Sequence, residues 1–307
     1  MVAILLRYGE IGIKSKRVRS RFENILIKNI EDVFLINNLD CIIERQWGRI
    51  FVYTGDAGKG INLLKRVLGI VSVSEAIETT SKIEDICKTA AEFSKVLIKK
   101  GQSFAIRCRR TGTHKYTSQE AAKETGDAVY LANEHKKISV DLTNPDVEIF
   151  VEIRNNKAYL FSEKVQCAGG MPVGSQGKVI AEISDMNSVI AMWLLMKRGC
   201  KSIPVFFNYN KNKGKVLKLI DILTLWDISV KLHIASDENI LSEAKSNKYS
   251  ALEKIGKSLN AEAILSPATM KDIADIKPTG LPIFYPLIGF DDKEIAEIGR
   301  RIIAVVE

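Results

Sequence analysis

Val179-Ile180-Ala181-Glu182-Ile183-Ser184-Asp185-Met186-Asn187-Ser188 is a short apolar run that breaks into a polar turn. A second apolar stretch follows it, from Ser188 to Arg198. The first run has the length of a strand and the second that of a helix. The alternation then continues: strand at 203–208, helix at 215–226, strand at 229–234, helix at 249–259, strand at 263–265, strand at 282–285 and helix at 291–303. Strands separated by helices predict a parallel, doubly wound α/β sheet. Such sheets bind ligands at the carboxyl ends of their strands, which makes the turn after Ile183 the first place to look.

Toward the N-terminus, the glycine-rich stretch Cys167–Gly177 marks a linker. Before it the pattern changes. Residues 2–8 predict a strand, 20–35 a helix, 41–44 and 49–53 two short strands, and 62–68 a short helix, which suggests a ferredoxin-like α+β unit. From Val71 onward a second α/β unit is expected. It has helices at 83–100 and 118–135, a strand at 103–109, and a hairpin of 147–153 with 158–162 turned by Asn155-Asn156. The expected domains are therefore 1–70, 71–166 and 167–307.

The charge is uneven. Residues 1–170 hold 27 basic and 21 acidic residues and the remainder 18 and 16, so most of the net +8 lies in the first half. That half is where a polyanionic partner is expected. Between Lys95 and Gln119 no acid occurs, while Lys99, Lys100, Arg107, Arg109, Arg110 and Lys115 do. A second acid-free cluster comprises Lys14, Lys16, Arg17, Arg19 and Arg21. It extends the same track or forms a solvated turn; the sequence leaves both open.

Five scattered cysteines and three histidines form no Cys-x-x-Cys pair and no ligand-spaced cluster, which argues against a zinc site or a disulfide framework. Cys200 has no neighbouring base in sequence to activate it, and Trp193 is expected in the core. No apolar run reaches the ~18 residues of a membrane span. The apolar N-terminus is too short for a secretory signal, so a cytoplasmic location is expected.

Four motifs in order carry a resemblance. Arg7-Tyr8-Gly9-Glu10-Ile11-Gly12-Ile13-Lys14 resembles the opening of the ThiI-type tRNA sulfurtransferases, the 4-thiouridine synthetases. Phe104-Ala105-Ile106-Arg107-Cys108-Arg109-Arg110, with Val140-Asp141-Leu142-Thr143-Asn144-Pro145-Asp146-Val147 downstream, is similar to their THUMP module. Gly169-Gly170-Met171-Pro172-Val173-Gly174 and Pro286-Leu287-Ile288-Gly289-Phe290-Asp291-Asp292-Lys293-Glu294-Ile295 resemble the flanks of their PP-loop nucleotide domain. The resemblance implies tRNA as partner, ATP with Mg²⁺ as cofactor, a sulfur donor and a tendency to dimerise. It also implies sulfur transfer to uridine 8 of tRNA through an adenylated intermediate. The basic clusters become RNA contacts, and Ile183, Ser184, Asp185, Met186, Asn187, Ser188, Phe206 and Phe207 fall where the family binds its nucleotide.

The chain departs from the family where chemistry occurs. The Ser-Gly-Gly-x-Asp-Ser turn has lost both glycines, and its aspartate is Asn187. Glycine matters there because backbone amides must approach phosphate closely, often at positive φ. A neutral amide also holds Mg²⁺ less well than a carboxylate. The adenosine-holding segment reads Ser266-Pro267-Ala268 and ends in Ile276, where the family has glycine and glutamine. Neither a sulfur-relaying cysteine nor a rhodanese domain is expected before Glu307. The departures predict retained RNA binding, with catalysis weak, absent or dependent on an intact paralogue. An active enzyme with an atypical loop and a non-enzymatic RNA-binding scaffold are the alternatives.

Overall fold

The computed structural model describes residues 2–208, 213–272 and 279–304. The chain folds as two compact units, one of 1–6, 41–61 and 73–165, the other of 7–40, 62–72 and 166–307.

In chain order the first half runs β1 (Val2–Tyr8), α1 (Lys16–Ile36), β2 (Cys41–Gln46), β3 (Arg49–Thr54), α2 (Ala57–Leu64) and β4 (Ile70–Thr80). It continues with α3 (Ile83–Leu97), β5 (Ser103–Thr111), α4 (Ser118–Asn133), β6 (Ser139–Val140), β7 (Val147–Arg154), β8 (Lys157–Phe161) and β9 (Val165–Gln166). Together these strands form a nine-stranded sheet of order β2-β3-β1-β4-β8-β7-β5-β6, with β9 paired to β4. The β2-β3-β1-β4 portion is the strand order of a ferredoxin-like β-α-β-β-α-β unit. Its fourth strand, Ile70–Thr80, went unread in the sequence; it carries Ser72, Ser74, Glu75, Glu78, Thr79 and Thr80, so apolar alternation is weak.

In the first unit β5 and β7 run parallel, with Phe104 opposite Val147 and Arg109 opposite Glu152. The anticipated β7–β8 hairpin is present and turns at Asn155, whose φ of 52° is tolerated by asparagine. Phe104, Ile106, Ile149 and Val151 share a core with Ile86 and Ala90 of α3 and Val129 of α4. The opposite face carries Phe51 stacked on Tyr159, their ring centroids 4.2 Å apart.

The second unit holds β10 (Lys178–Glu182), α5 (Met186–Lys197), β11 (Lys201–Phe207), α6 (Lys213–Thr224) and β12 (His233–Ala235). After these come α7 (Glu238–Ser246), α8 (Lys248–Ser258), β13 (Ala263–Leu265), β14 (Ile283–Phe284) and α9 (Asp292–Ala304). Helix α7 was not foreseen, and β12 is shorter and later than the expected 229–234. Every strand pair is parallel, in the order β12-β11-β10-β13-β14. The order reverses at β10, which makes the β10–β13 edge the switch point of a doubly wound sheet. Alternate residues feed two cores: Val179, Ala181 and Phe206 pack toward Trp193 and Leu219, while Ile180, Val205 and Phe207 pack toward Ala244 and Leu252. Burial on both faces explains why these strands read as unbroken apolar runs.

Candidate functional site

The turn between β10 and α5 lies at that switch point. Helix α5 begins at Met186, two residues earlier than the sequence suggested, because Asp185 is its N-cap. The Asp185 carboxylate accepts from the Ser188 amide at 2.9 Å. The Ser188 hydroxyl donates to the Asp185 carbonyl at 2.6 Å and accepts from the amides of Ser184 and Asp185 at 3.2 and 3.3 Å. This reciprocal capping box satisfies three of the amides that a phosphate cradle would turn outward. Ser188 itself is buried, so its hydroxyl is spent internally and does not face a ligand. The amides of Met186 and Asn187 have no protein acceptor among the described residues.

The surroundings of the turn are equally self-contained. Glu182, the last residue of β10, lies 3.5 Å from Lys248. At the end of β13 the hydroxyl of buried Ser266 lies 2.7 Å from Tyr249 and accepts from the Ala268 amide at 3.1 Å. Residues 273–276 of the segment that the resemblance sets beside the adenosine, Ile276 among them, fall outside the described residues. Phe206 and Phe207 are buried in opposite cores, so neither ring offers a free face for stacking. Ile183 is buried as well, leaving Ser184, Asp185 and Asn187 exposed. Among the described residues no group of three or more His, Cys, Asp or Glu side chains is placed to hold a metal ion. Burial pushes the Cys200 thiol up from its ordinary value, which suits an inert side chain.

The basic residues divide into used and unused. Arg107 is used: its Nε donates to Glu148 at 2.6 Å and its guanidinium to the Leu142 carbonyl at 2.9 Å. The stretch from Lys95 to Gln119 holds no acid of its own, but the parallel neighbour β7 supplies one that sequence distance conceals. Arg21 donates to the Ser175 carbonyl at 2.9 Å. Arg110 reaches the Gly112 carbonyl at 3.3 Å and lies 3.4 Å from His114. Lys99, Lys100, Arg109 and Lys115 of the first unit are exposed and have no side-chain partner among the described residues. The same holds in the second unit for Lys16 and Arg17, with Lys14 half-buried. Helix α1 starts with these cations, with no acid in its first turn and no side-chain cap. Cations at a helix N-terminus oppose the helix dipole, an arrangement that an external anion would relieve.

Comparison with known proteins decides the family. A ThiI ferredoxin-like domain matches residues 3–74, a THUMP domain 80–163, and the domain described as thiamine biosynthesis protein (ThiI) 174–255. A probable tRNA sulfurtransferase of Methanosarcina mazei is 34% identical over 97% of this chain and 82% of its own length. The chain belongs to the ThiI-type tRNA sulfurtransferase family.

A second family member, from Methanobrevibacter smithii, is 35% identical over 97% of this chain and 86% of its own. The alignment with the M. mazei sulfurtransferase spans 332 positions, more than the 307 residues present here, so that relative carries segments this chain lacks. Among solved structures, a Pyrococcus horikoshii protein superposes with a TM-score of 0.83 at 31% identity, covering 98% of this chain and 99% of that one. A 4-thiouridine synthetase crystallised in an RNA complex with bound ATP superposes with a TM-score of 0.80 at 26% identity, covering 98% and 85%. The fold is thus that of the family: a ferredoxin-like domain, a THUMP domain and a parallel α/β sheet. Among the described residues no helix is long and apolar enough to cross a membrane.

Proposed function

We propose that the protein binds tRNA but does not by itself adenylate it. The carrying observation is the capping box at Asp185 and Ser188, which ties up three amides of the nucleotide turn and sets a carboxylate beside the phosphate position. The residues present do not fit ATP·Mg²⁺: glycines are missing, Asn187 replaces a carboxylate, and Asp185 repels an anion. RNA binding rests on the THUMP domain, on exposed Lys99, Lys100, Arg109 and Lys115, and on Lys14, Lys16 and Arg17 at α1. Recognition of this kind reads backbone and shape more than base sequence.

In this reading the domain borders are 1–70, 71–166 and 167–307, the location is the cytoplasm, and any thiolation draws on an intact paralogue or separate sulfur donor. One observation favours a second reading, an active enzyme with an atypical loop: the Met186 and Asn187 amides still offer two donors at the start of α5. Calorimetric titration with ATP·Mg²⁺, AMP and unmodified tRNA separates the two. Tight tRNA binding with no nucleotide affinity is expected. Pyrophosphate release from ATP·Mg²⁺ in the presence of unmodified tRNA would establish the second reading instead.

A further inference from the structure

The second unit contains another concave surface, lined by the C-terminal half of α5 and not by the turn at 184–188. It is a groove of about 790 Å³, inside the ~300–1,000 Å³ range of ligand pockets. Trp193, Leu194, Trp226, Phe290 and Ile298 give it an apolar wall. Lys65 and Arg66 just beyond α2, Lys197 at the end of α5 and Arg301 in α9 supply its cations, and among the described residues no aspartate or glutamate lines it.

Two groups here lack a hydrogen-bond or ionic partner among the described residues. Arg66 is half-buried and has no side-chain partner among the described residues. Burial pushes its guanidinium down from the ordinary value, the sign of desolvation that no acid offsets. Trp193 is only 8% exposed, and its indole Nε1 is buried without an acceptor among the described residues. The other cations are more lightly engaged. Lys197 lies 5.3 Å from the Trp193 ring centre, Lys65 donates to Asn62 at 3.2 Å, and Arg301 pairs with Glu297 on its own helix. Phe290 remains 37% exposed, an aromatic face at the edge of a basic groove.

Cations drawn from three separate elements suit successive phosphates of a strand, and an exposed aromatic beside them suits an unstacked base. We propose that this groove holds an unpaired stretch of RNA, one base against Phe290 and the apolar wall, its flanking phosphates on Lys65, Arg66 and Lys197. The proposal rests on the RNA-binding reading above and adds to it a site outside the THUMP domain that selects single-stranded over paired RNA.

The test uses the full chain and two labelled probes, a blunt RNA duplex and the same duplex with a single-stranded tail, read by fluorescence anisotropy. Wild type binds the tailed probe more tightly. Arg66→Ala and Phe290→Ala each weaken tailed binding about tenfold and leave blunt binding within about twofold. Arg66→Lys recovers most of the loss, and Arg66→Ala lowers the salt dependence by about one ion. Thermal melting confirms that each variant is folded, and Arg66→Lys keeps the test decisive if Phe290→Ala is not. Equal binding of both probes by wild type would overturn the groove, as would variants that bind the tailed RNA like wild type while Arg109→Ala weakens both probes. In both cases the RNA-binding reading survives. Failure of wild type to bind either probe would remove both.

Discussion

Replacing Asp185 by asparagine and, separately, by alanine divides the two effects of its carboxylate. Asparagine keeps an oxygen for the Ser188 amide, now 2.9 Å from Asp185 Oδ1, and removes only the charge. The lost charge–dipole attraction at the start of α5 costs about 0.3–1 kcal/mol. Alanine removes the cap as well, for a total cost of about 0.5–2 kcal/mol, or a few degrees in Tm. The effect on anions runs the other way. A carboxylate about 4 Å from a phosphate charge repels it by about 1 kcal/mol in water and about 4 kcal/mol at an effective dielectric of 20. Asp185→Asn should therefore raise the affinity for pyrophosphate or ATP at least about fivefold over wild type, and Asp185→Ala further, since it also frees the Ser188 amide. Isothermal titration at fixed ionic strength, paired with thermal melts, measures both effects. Wild type that binds ATP·Mg²⁺ as tightly as either variant would refute the idea that the capping box closes the turn.

Four further outcomes follow from the geometry. Arg109→Ala combined with Lys99→Ala should weaken tRNA binding roughly uniformly across tRNAs and flatten its salt dependence by about two ions, measured by anisotropy across a salt series. Arg107→Ala should leave tRNA affinity unchanged and cost at most about 1 kcal/mol of stability by denaturant melt, because its pair with Glu148 is over a third exposed. Gly170→Ala should be among the most damaging single changes, lowering Tm by several degrees: Gly170 has φ of +79°, and an added Cβ would collide with the Lys197 carbonyl oxygen. Burial alone would raise the pKa of Glu78, but hydrogen bonds from Lys157 at 2.8 Å and Tyr53 at 2.6 Å hold it below the ordinary carboxylate value. A depressed folded pKa stabilises the protein above the unfolded value and is lost as pH falls through the folded one. The Tm difference between wild type and Glu78→Gln should thus be constant above about pH 5 and shrink below about pH 4.

Sequence alone determined the parallel sheet, because strands buried on both faces must be apolar throughout and helices between them must show a longer period. It also determined the family, since motif order survives even where single residues have changed. It singled out the turn at 184–188, because a difference from the glycine-rich pattern that the resemblance implies is visible without coordinates. What it did not determine were pairings between residues distant in the chain. Glu148 neutralises Arg107 only because β5 and β7 lie side by side in parallel register. The weakly alternating strand Ile70–Thr80 became legible only through its partners in the sheet. The basic groove is assembled from the end of α2, from α5 and from α9, more than 200 residues apart in the chain, and no local pattern announces it. Most of all, sequence showed only which residue types stand at 184–188, whereas the tertiary structure showed how they are engaged. A carboxylate and a hydroxyl satisfy the amides there, because a helix end without a ligand must still find acceptors for its first N–H groups.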